Sequence, residues 1–209
     1  MGNELLTAFL ALGLITILPG PDVAVVTHAA LTQGQTGARR AAAGITLGLT
    51  IWGVATVGGL AALLAESAAA YSAVKLIGAG YLIFLGVRTL IQLRGDVHQA
   101  IAHATPAPRG RGPFRRGLLT DLLNPKIAVF YVAVLPGLAP DALALSAGLA
   151  LLVAMHVVIT ISWLTFYGTF VVRAGDAFRR PEIRRRMEAL TGAVMVGLGI
   201  QIALTGRNG

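Results

Sequence analysis

The sequence predicts an all-α integral membrane protein whose six transmembrane helices form two inverted three-helix repeats. Three observations lead to this fold class. Of the 209 residues, 56% are hydrophobic and 12% are charged, and the mean hydropathy is +0.75, which is far from the usage of a soluble domain. Apolar segments reach the roughly 20 residues that a helix needs to cross a bilayer. A short sequence match also relates the two halves of the chain.

Apolar segments give the order of the predicted spans. They lie at about Leu5 to Leu31, Ala41 to Ala65, Tyr71 to Leu93, Gly117 to Leu138, Leu143 to Val172 and Ala189 to Thr205. We expect residues 1–93 to form the first three-helix repeat, residues 94–116 a cytoplasmic linker and residues 117–209 the second repeat. Because each half has an odd number of spans, the second half enters the membrane from the opposite face, as in many secondary transporters.

Two local features of the early spans carry further expectations. No Lys or Arg precedes the first apolar segment, and that segment is longer than the apolar core of a signal peptide, so we expect a retained first span. Gly44 and Gly48 form a small-xxx-small step in the second span, which predicts a close helix contact.

Basic residues set the predicted orientation. Of the 17 Lys and Arg, 13 lie in three alternate loops, whereas the opposite side has only Arg207. The positive-inside bias places the three basic loops in the cytoplasm and both termini outside. The net charge of +8 is divided among these loops and forms no single basic stripe, so we expect no nucleic-acid partner.

Two prolines interrupt predicted spans at equivalent points of the two halves. A shift of 104 positions sets Gly20-Pro21-Asp22 over Asn124-Pro125-Lys126. Proline removes a backbone hydrogen bond that lipid cannot replace, so each break must be buried or face water. Each proline follows a cap residue and suits the first helical position, which predicts a new half-helix at mid-membrane. Its free N–H groups and positive dipole end would face a cavity that suits a carboxylate.

The residue after each proline is charged, negative in Asp22 and positive in Lys126. A charge at the bilayer centre costs about 3 kcal/mol on insertion scales, so neither is expected to face lipid. We expect both motifs to form one substrate site, with Asp22 and Lys126 on opposite walls holding the ammonium and carboxylate of an amino acid. Lysine is used twice against 15 Arg, which indicates a need for a compact ammonium at position 126. The alternatives are a buried ion pair that fixes packing, or two charges that reach the interface separately.

Two further polar residues lie inside predicted spans. Free histidine titrates near neutrality, so His156 could relay protons together with Asp22, or it could be a hydrogen-bonded packing residue. Asp121 lies one turn inside the fourth span, where we expect it to pair with Arg115 or Arg116, with a role at a cytoplasmic gate as the alternative.

The glycines and the two proline motifs together carry a resemblance that runs through nearly the whole chain. The residues concerned are Pro19, Gly20 and Pro21; Gly34, Gly37, Gly44 and Gly48; Lys75, Gly78, Tyr81, Leu82 and Gly86; and Gly117 with Asn124, Pro125 and Lys126. The chain resembles the LysE/RhtB family of bacterial amino-acid exporters. The resemblance implies proton-driven export of amino acids or close derivatives across the bacterial plasma (inner) membrane, and it allows a homodimer. Asp22 departs from the family, which often has Asn or a small residue there.

These observations exclude several function classes and leave others open. The chain has no Cys, no HExxH, no GxSxG and no phosphate-binding glycine loop, so we expect no enzyme, no metal and no cofactor. The apolar walls, one acid and one base favour a small neutral amino acid such as threonine, homoserine or leucine. An exporter of another small solute, or a channel or scaffold without carrier activity, remains as the alternative.

Overall fold

The computed structural model describes residues 2–60, 68–92, 112–174 and 181–205, and no strand occurs among them. The helices are α1 (Gly2–Ile17), α2 (Pro21–Ala55), α3 (Ala68–Gln92), α4 (Pro113–Leu122), α5 (Pro125–Val129), α6 (Leu145–Arg173) and α7 (Pro181–Thr205). A π-helical turn, Thr56–Leu60, extends α2. A π-helical turn, Phe130–Val134, and a 3₁₀ turn, Leu135–Leu138, extend α5. The prediction of an all-α chain is confirmed for the described residues.

Length and hydropathy identify membrane-spanning helices among the described residues. Pro21–Gly59 and Leu145–Arg173 are each long and apolar enough to cross a bilayer, and α4 with the extended α5 adds a third span if this pair, bent by 44°, is one unit. Shorter apolar helices cover Gly2–Ile17, Leu76–Ile91 and Gly192–Gln201. Large apolar side chains are exposed on these helices, which is the surface expected of helices that face lipid. The structure is therefore that of an all-α membrane protein.

Helices extend beyond the predicted apolar segments at three places. Helix α2 consists of two helical parts that meet at a kink at Gly34, where φ is +62° and ψ is −155°, and its second part already includes Arg39 and Arg40. Glycine adopts this conformation at no steric cost, so the predicted turn between the first two spans is formed at this one residue. Helix α4 begins at Pro113, inside the predicted linker, and α7 begins at Pro181, before the apolar segment. Proline at the first helical position has the right φ, which explains both early starts. Residues 93–111 of the linker lie outside the described residues.

The small-residue step in α2 forms a close helix contact, as predicted, and the structure shows that the partner is α4. A Cβ atom added at Gly44 would meet the backbone of Phe114, and one added at Gly48 would lie 2.7 Å from a carboxylate oxygen of Asp121. Glycine has no side chain beyond hydrogen at either position, so the two helices can approach closely. Residue numbers rise together along the contact, so α4 is parallel to the part of α2 after Gly34.

Gly44→Ala is expected to destabilise the protein by about 1–3 kcal/mol, because the added methyl group would press on the backbone of Phe114, which cannot rotate away. The measurement is the melting temperature in detergent, followed by circular dichroism. Gly13→Ala is the matched control: nothing lies within 4 Å of a Cβ at that position, and alanine favours the helix. Equal melting temperatures for the two variants would contradict this account of the contact.

Close contacts at other glycines fix the directions of two more helix pairs. The contacts are Gly86 with Gly192 and Ala79 with Gly199 between α3 and α7, and Ala38 with Gly168 and Gly53 with Val153 between α2 and α6. In the α3 and α7 pair, and between α6 and the part of α2 after Gly34, residue numbers rise along one helix and fall along the other. Each of these two pairs is therefore antiparallel. This packing brings the two helix breaks, before α2 and before α5, next to each other in the interior.

Candidate functional site

The first helix break leaves two backbone carbonyl groups without their usual donors. The chain is extended at Gly20, with φ −159° and ψ −168°, between α1 and α2. In a continuous helix the N–H of residue 19 would bond the carbonyl of Ile15, and that of Asp22 would bond the carbonyl of Leu18. Pro19 has no N–H, and the extended Gly20 ends the helical register. The carbonyls of Ile15 and Leu18 can therefore accept from another part of the chain.

The second break is closed by a side-chain cap. Asn124 Oδ1 accepts a hydrogen bond of 3.1 Å from the backbone N–H of Lys126, and Pro125 takes the first position of α5. Both half-helices thus begin at the prolines, Pro21 and Pro125, that the sequence indicated. The expectation of free first-turn donors is wrong for the N–H of Lys126, because the Asn124 side chain already occupies it.

The side chain of Lys126 joins the two breaks. Its Nζ atom donates to the carbonyls of Ile15 at 3.1 Å and Leu18 at 3.3 Å. The ammonium thus replaces the missing helical donors and lies at the negative end of the α1 dipole. A Cβ atom at Gly20 would lie 3.3 Å from Nζ, so glycine leaves room for the ammonium. Lys126 is only 6% exposed, and its charge is held by backbone oxygens.

A hydrogen bond from the same asparagine, Asn124, connects Asp22 to the second break. Asn124 Nδ2 donates to Asp22 Oδ2 at 2.7 Å, a short bond typical of a charged acceptor. The other carboxylate oxygen, Oδ1, has no hydrogen-bond partner among the described residues. Asn124 therefore positions both Asp22 and the first turn of α5. Asp22 and Lys126 are not joined directly, since each is held by other groups.

The favoured prediction for Asp121 is wrong. Its side chain is fully buried, and neither carboxylate oxygen has a hydrogen-bond partner in the described part of the chain, so it pairs with neither Arg115 nor Arg116. The parallel contact of α2 with α4 directs Asp121 toward Gly48 and the interior. Sequence reasoning missed this placement because two arginines lie within two turns of Asp121, whereas its partner helix follows only from packing.

His156 on α6 is brought to the same interior space and is 1% exposed. Its Nε2 atom lies 3.2 Å from the Thr16 hydroxyl, and its Nδ1 atom lies 3.2 Å from the Tyr131 hydroxyl. Thr16 donates its own proton to the carbonyl of Leu12 at 2.7 Å, so Nε2 is the donor toward Thr16, and Nδ1 can accept from Tyr131. A neutral imidazole satisfies both nitrogens. This geometry favours the hydrogen-bonded role of His156 over the proton relay.

These side chains surround a cavity of about 20 Å³, which holds about one water molecule and is too small for an amino acid. The lining residues are Ile15, Thr16, Leu18, Asp22, Val23, Ile45, Leu49, Asp121, Lys126, Ile127, His156, Thr160 and Leu164. Of the predicted site residues, Asp22, Lys126 and His156 line the cavity, Asn124 and Gly20 contact them, and the two prolines start the helices. A solute can enter only when these walls move apart.

No group of three potential metal ligands occurs among residues 2–60, 68–92, 112–174 and 181–205.

Comparison with known proteins then identifies the family. The family model described as LysE type translocator matches residues 14–206, which is most of the chain. The chain belongs to the LysE type translocator family. The resemblance found in the sequence is thereby confirmed.

Relatives of this LysE type translocator include named efflux proteins. It is 27% identical to the threonine efflux protein of Escherichia coli (strain K12), over 96% of this chain and 100% of the relative. It is 28% identical to the homoserine/homoserine lactone efflux protein of Salmonella typhi, over 91% of each chain. It is 25% identical to the membrane protein YrhP of Bacillus subtilis (strain 168), over 92% of this chain and 94% of the relative. No solved structure matches this translocator. The chain is thus a membrane transport protein, like its named bacterial relatives, and not an enzyme.

Proposed function

We propose that this translocator is a secondary active exporter of small neutral amino acids or close derivatives, driven by proton entry across the bacterial plasma (inner) membrane. The observation that carries this proposal is the shared cavity, where two broken helices bring an acid, Asp22, and an amine, Lys126, to one buried space. A zwitterionic amino acid carries one group for each of them. The names of the threonine and homoserine efflux relatives support this substrate class.

Binding would exchange the present partners of the two charges for the cargo. The cargo carboxylate would take the Lys126 ammonium from the carbonyls of α1, and the free Oδ1 of Asp22 would accept from the cargo ammonium. Asn124 keeps its two hydrogen bonds throughout, so it positions the acid without binding the cargo. The remaining walls include Ile45 and Leu49, which favour a small uncharged side chain.

We further propose that residues 1–93 and 117–209 are inverted repeats joined by residues 94–116. Two antiparallel pairs support this, α3 with α7 and the part of α2 after Gly34 with α6, because a two-fold axis in the membrane plane reverses the direction of each equivalent helix. Rocking of one repeat against the other would open the central cavity to each side in turn. The arginine distribution supports basic loops in the cytoplasm and termini outside. The cavity lies within one chain, and the homodimer that the resemblance allows stays a prediction.

Counterflow in proteoliposomes tests the proposed export. Vesicles loaded with unlabelled amino acid should take up radiolabelled L-threonine, L-homoserine or L-leucine in a saturable manner, with L-lysine and L-glutamate as poorer substrates. An acidic vesicle interior should drive uptake beyond the equilibrium level. Protein-free vesicles are the control. A conductance that does not saturate would indicate a channel, and no uptake of any of these amino acids by folded protein would contradict the exporter proposal.

A further inference from the structure

Asp121 is a buried ionisable group that the substrate site described above leaves without a role. Its carboxyl group lines the cavity with Asp22 and Lys126, its side chain is 0% exposed, and neither oxygen has a hydrogen-bond partner among the described residues. The other ionisable groups differ in this respect. Lys126 and His156 each have two side-chain hydrogen bonds, and Asp22 has one.

The groups that face Asp121 offer it no counter-charge of its own. They are Asp22 at the start of α2, Lys126 on α5, Tyr131 in the π-helical turn and His156 on α6. The Lys126 ammonium is held by the carbonyls of α1, and Tyr131 and His156 are bonded to each other. Two carboxylates and one ammonium leave one negative charge in excess. A carboxylate without a donor is strongly disfavoured away from water, so Asp121 gains from binding a proton or the N–H donors of a cationic group. An amino-acid zwitterion adds no net charge, but its ammonium supplies such donors.

The packing around Asp121 holds the carboxyl group at the cavity. Gly48 of α2 lies against it: a Cβ atom there would lie 2.7 Å from Oδ2, so α2 covers this side of the carboxyl group. The cavity that the carboxyl group lines is the route by which a positive species reaches it. Two species on the transport path satisfy this condition: a proton and the ammonium group of an amino acid. A single carboxyl group in a cavity of this size can bind the proton or the cargo ammonium, but not both at once.

We propose that Asp121 is the proton-carrying group of the transporter and that the cargo ammonium competes with the proton for it; this rests on the export function proposed above. When the cavity opens outward and the amino acid leaves, an Oδ atom of Asp121 binds one external proton. When the cavity opens to the cytoplasm, the ammonium of the next amino acid displaces that proton into the cytoplasm. One proton enters for each amino acid that leaves: it passes from external water to an Oδ atom of Asp121 and from there to cytoplasmic water, so the O–H bond of Asp121 forms and breaks once in each cycle.

The test is Asp121→Asn in proteoliposomes, with L-threonine as the probe and Asp141→Asn, at an exposed acid in the turn before α6, as the matched control. The wild type and Asp141→Asn should accumulate threonine above equilibrium when the vesicle interior is acidic, and their counterflow should depend on pH. Asp121→Asn should lose this accumulation completely, and its remaining counterflow should no longer vary with pH. Accumulation by folded Asp121→Asn at the wild-type level would overturn the proposal.

Two further outcomes separate this proposal from the export function. If folded Asp121→Asn lost counterflow entirely, Asp121 would be a binding residue and not the proton carrier, and the proposal would fail while export stood. If the wild type transported none of the amino acids, the export function itself would fail. If Asp121→Asn did not fold, labelling of the wild type with dicyclohexylcarbodiimide would decide, since this reagent attacks protonated carboxyl groups in apolar surroundings. Mass spectrometry should find Asp121 modified increasingly as the pH falls, and an unmodified Asp121 would reject its role.

Discussion

Lys126→Met is expected to abolish transport by a protein that still folds. Methionine has a similar length, but it supplies neither a donor for the carbonyls of Ile15 and Leu18 nor a charge for the cargo carboxylate. Removal of one partner of a buried charged interaction costs about 2–5 kcal/mol, which corresponds to a loss of affinity of roughly 30-fold or more. Equilibrium binding of labelled threonine to detergent-purified protein measures the affinity, and counterflow measures the transport.

Arg88→Met is the matched control for this variant, because Arg88 is an exposed basic residue on α3 and lines no part of the cavity. Its binding and counterflow should equal those of the wild type. Comparison of Lys126→Met with Arg88→Met therefore distinguishes a specific effect of the Lys126 ammonium from a general effect of losing one positive charge. Wild-type counterflow in folded Lys126→Met would reject the proposed role of the ammonium in cargo binding.

Lys126→Arg should also lose transport, although it keeps the positive charge. Glycine at position 20 leaves a distance of 3.3 Å between a hypothetical Cβ atom and Nζ, which suits a compact ammonium and not a planar guanidinium. The scarcity of lysine in an arginine-rich chain had indicated such a requirement. The structure adds a physical reason for it, namely two carbonyl oxygens within reach of a single nitrogen.

The helix breaks could be predicted from the sequence, whereas the contacts between them could not. Proline and its cap residue act within one helical turn, so the starts of α2 and α5 are local properties of Pro21 and Pro125. The contact of Lys126 with the carbonyls of Ile15 and Leu18 joins residues 111 and 108 positions apart. Such a contact depends on how the helices pack, which single-sequence patterns do not encode.

Asp121 illustrates the same limit at one residue. Arg115 and Arg116 precede it at the predicted cytoplasmic end of the span, so the sequence favours pairing at the membrane interface. The glycines of α2 decide which face of α4 turns inward. Gly48 has no side chain and lies directly against the carboxyl group of Asp121. The sequence did predict a close contact at Gly48. It contained no signal that the other side of that contact would be an acid.

Exchange of the acid and the amide between positions 22 and 124 should separate folding from transport. Asp22→Asn removes the charge that we assign to the cargo ammonium, while an amide oxygen at position 22 can still accept from Asn124. This variant should fold and lose transport. Asn124→Asp keeps a side-chain oxygen for the N–H of Lys126, but it sets a second carboxylate against Asp22 where the bond is now 2.7 Å. Loss of this charged hydrogen bond should cost about 1.5–3 kcal/mol of stability.

The double variant Asp22→Asn with Asn124→Asp rebuilds the bond with donor and acceptor reversed. Its melting temperature should therefore return toward the wild-type value, because the buried network is again satisfied. Counterflow should stay absent, since the negative charge now lies on the cap of α5 and no longer on the first turn of α2. Recovery of both stability and transport would show that the acid is needed only as a hydrogen-bonding partner. It would refute direct binding of the cargo by Asp22, because direct binding requires the negative charge at position 22, whereas a hydrogen-bonding role allows it at position 124.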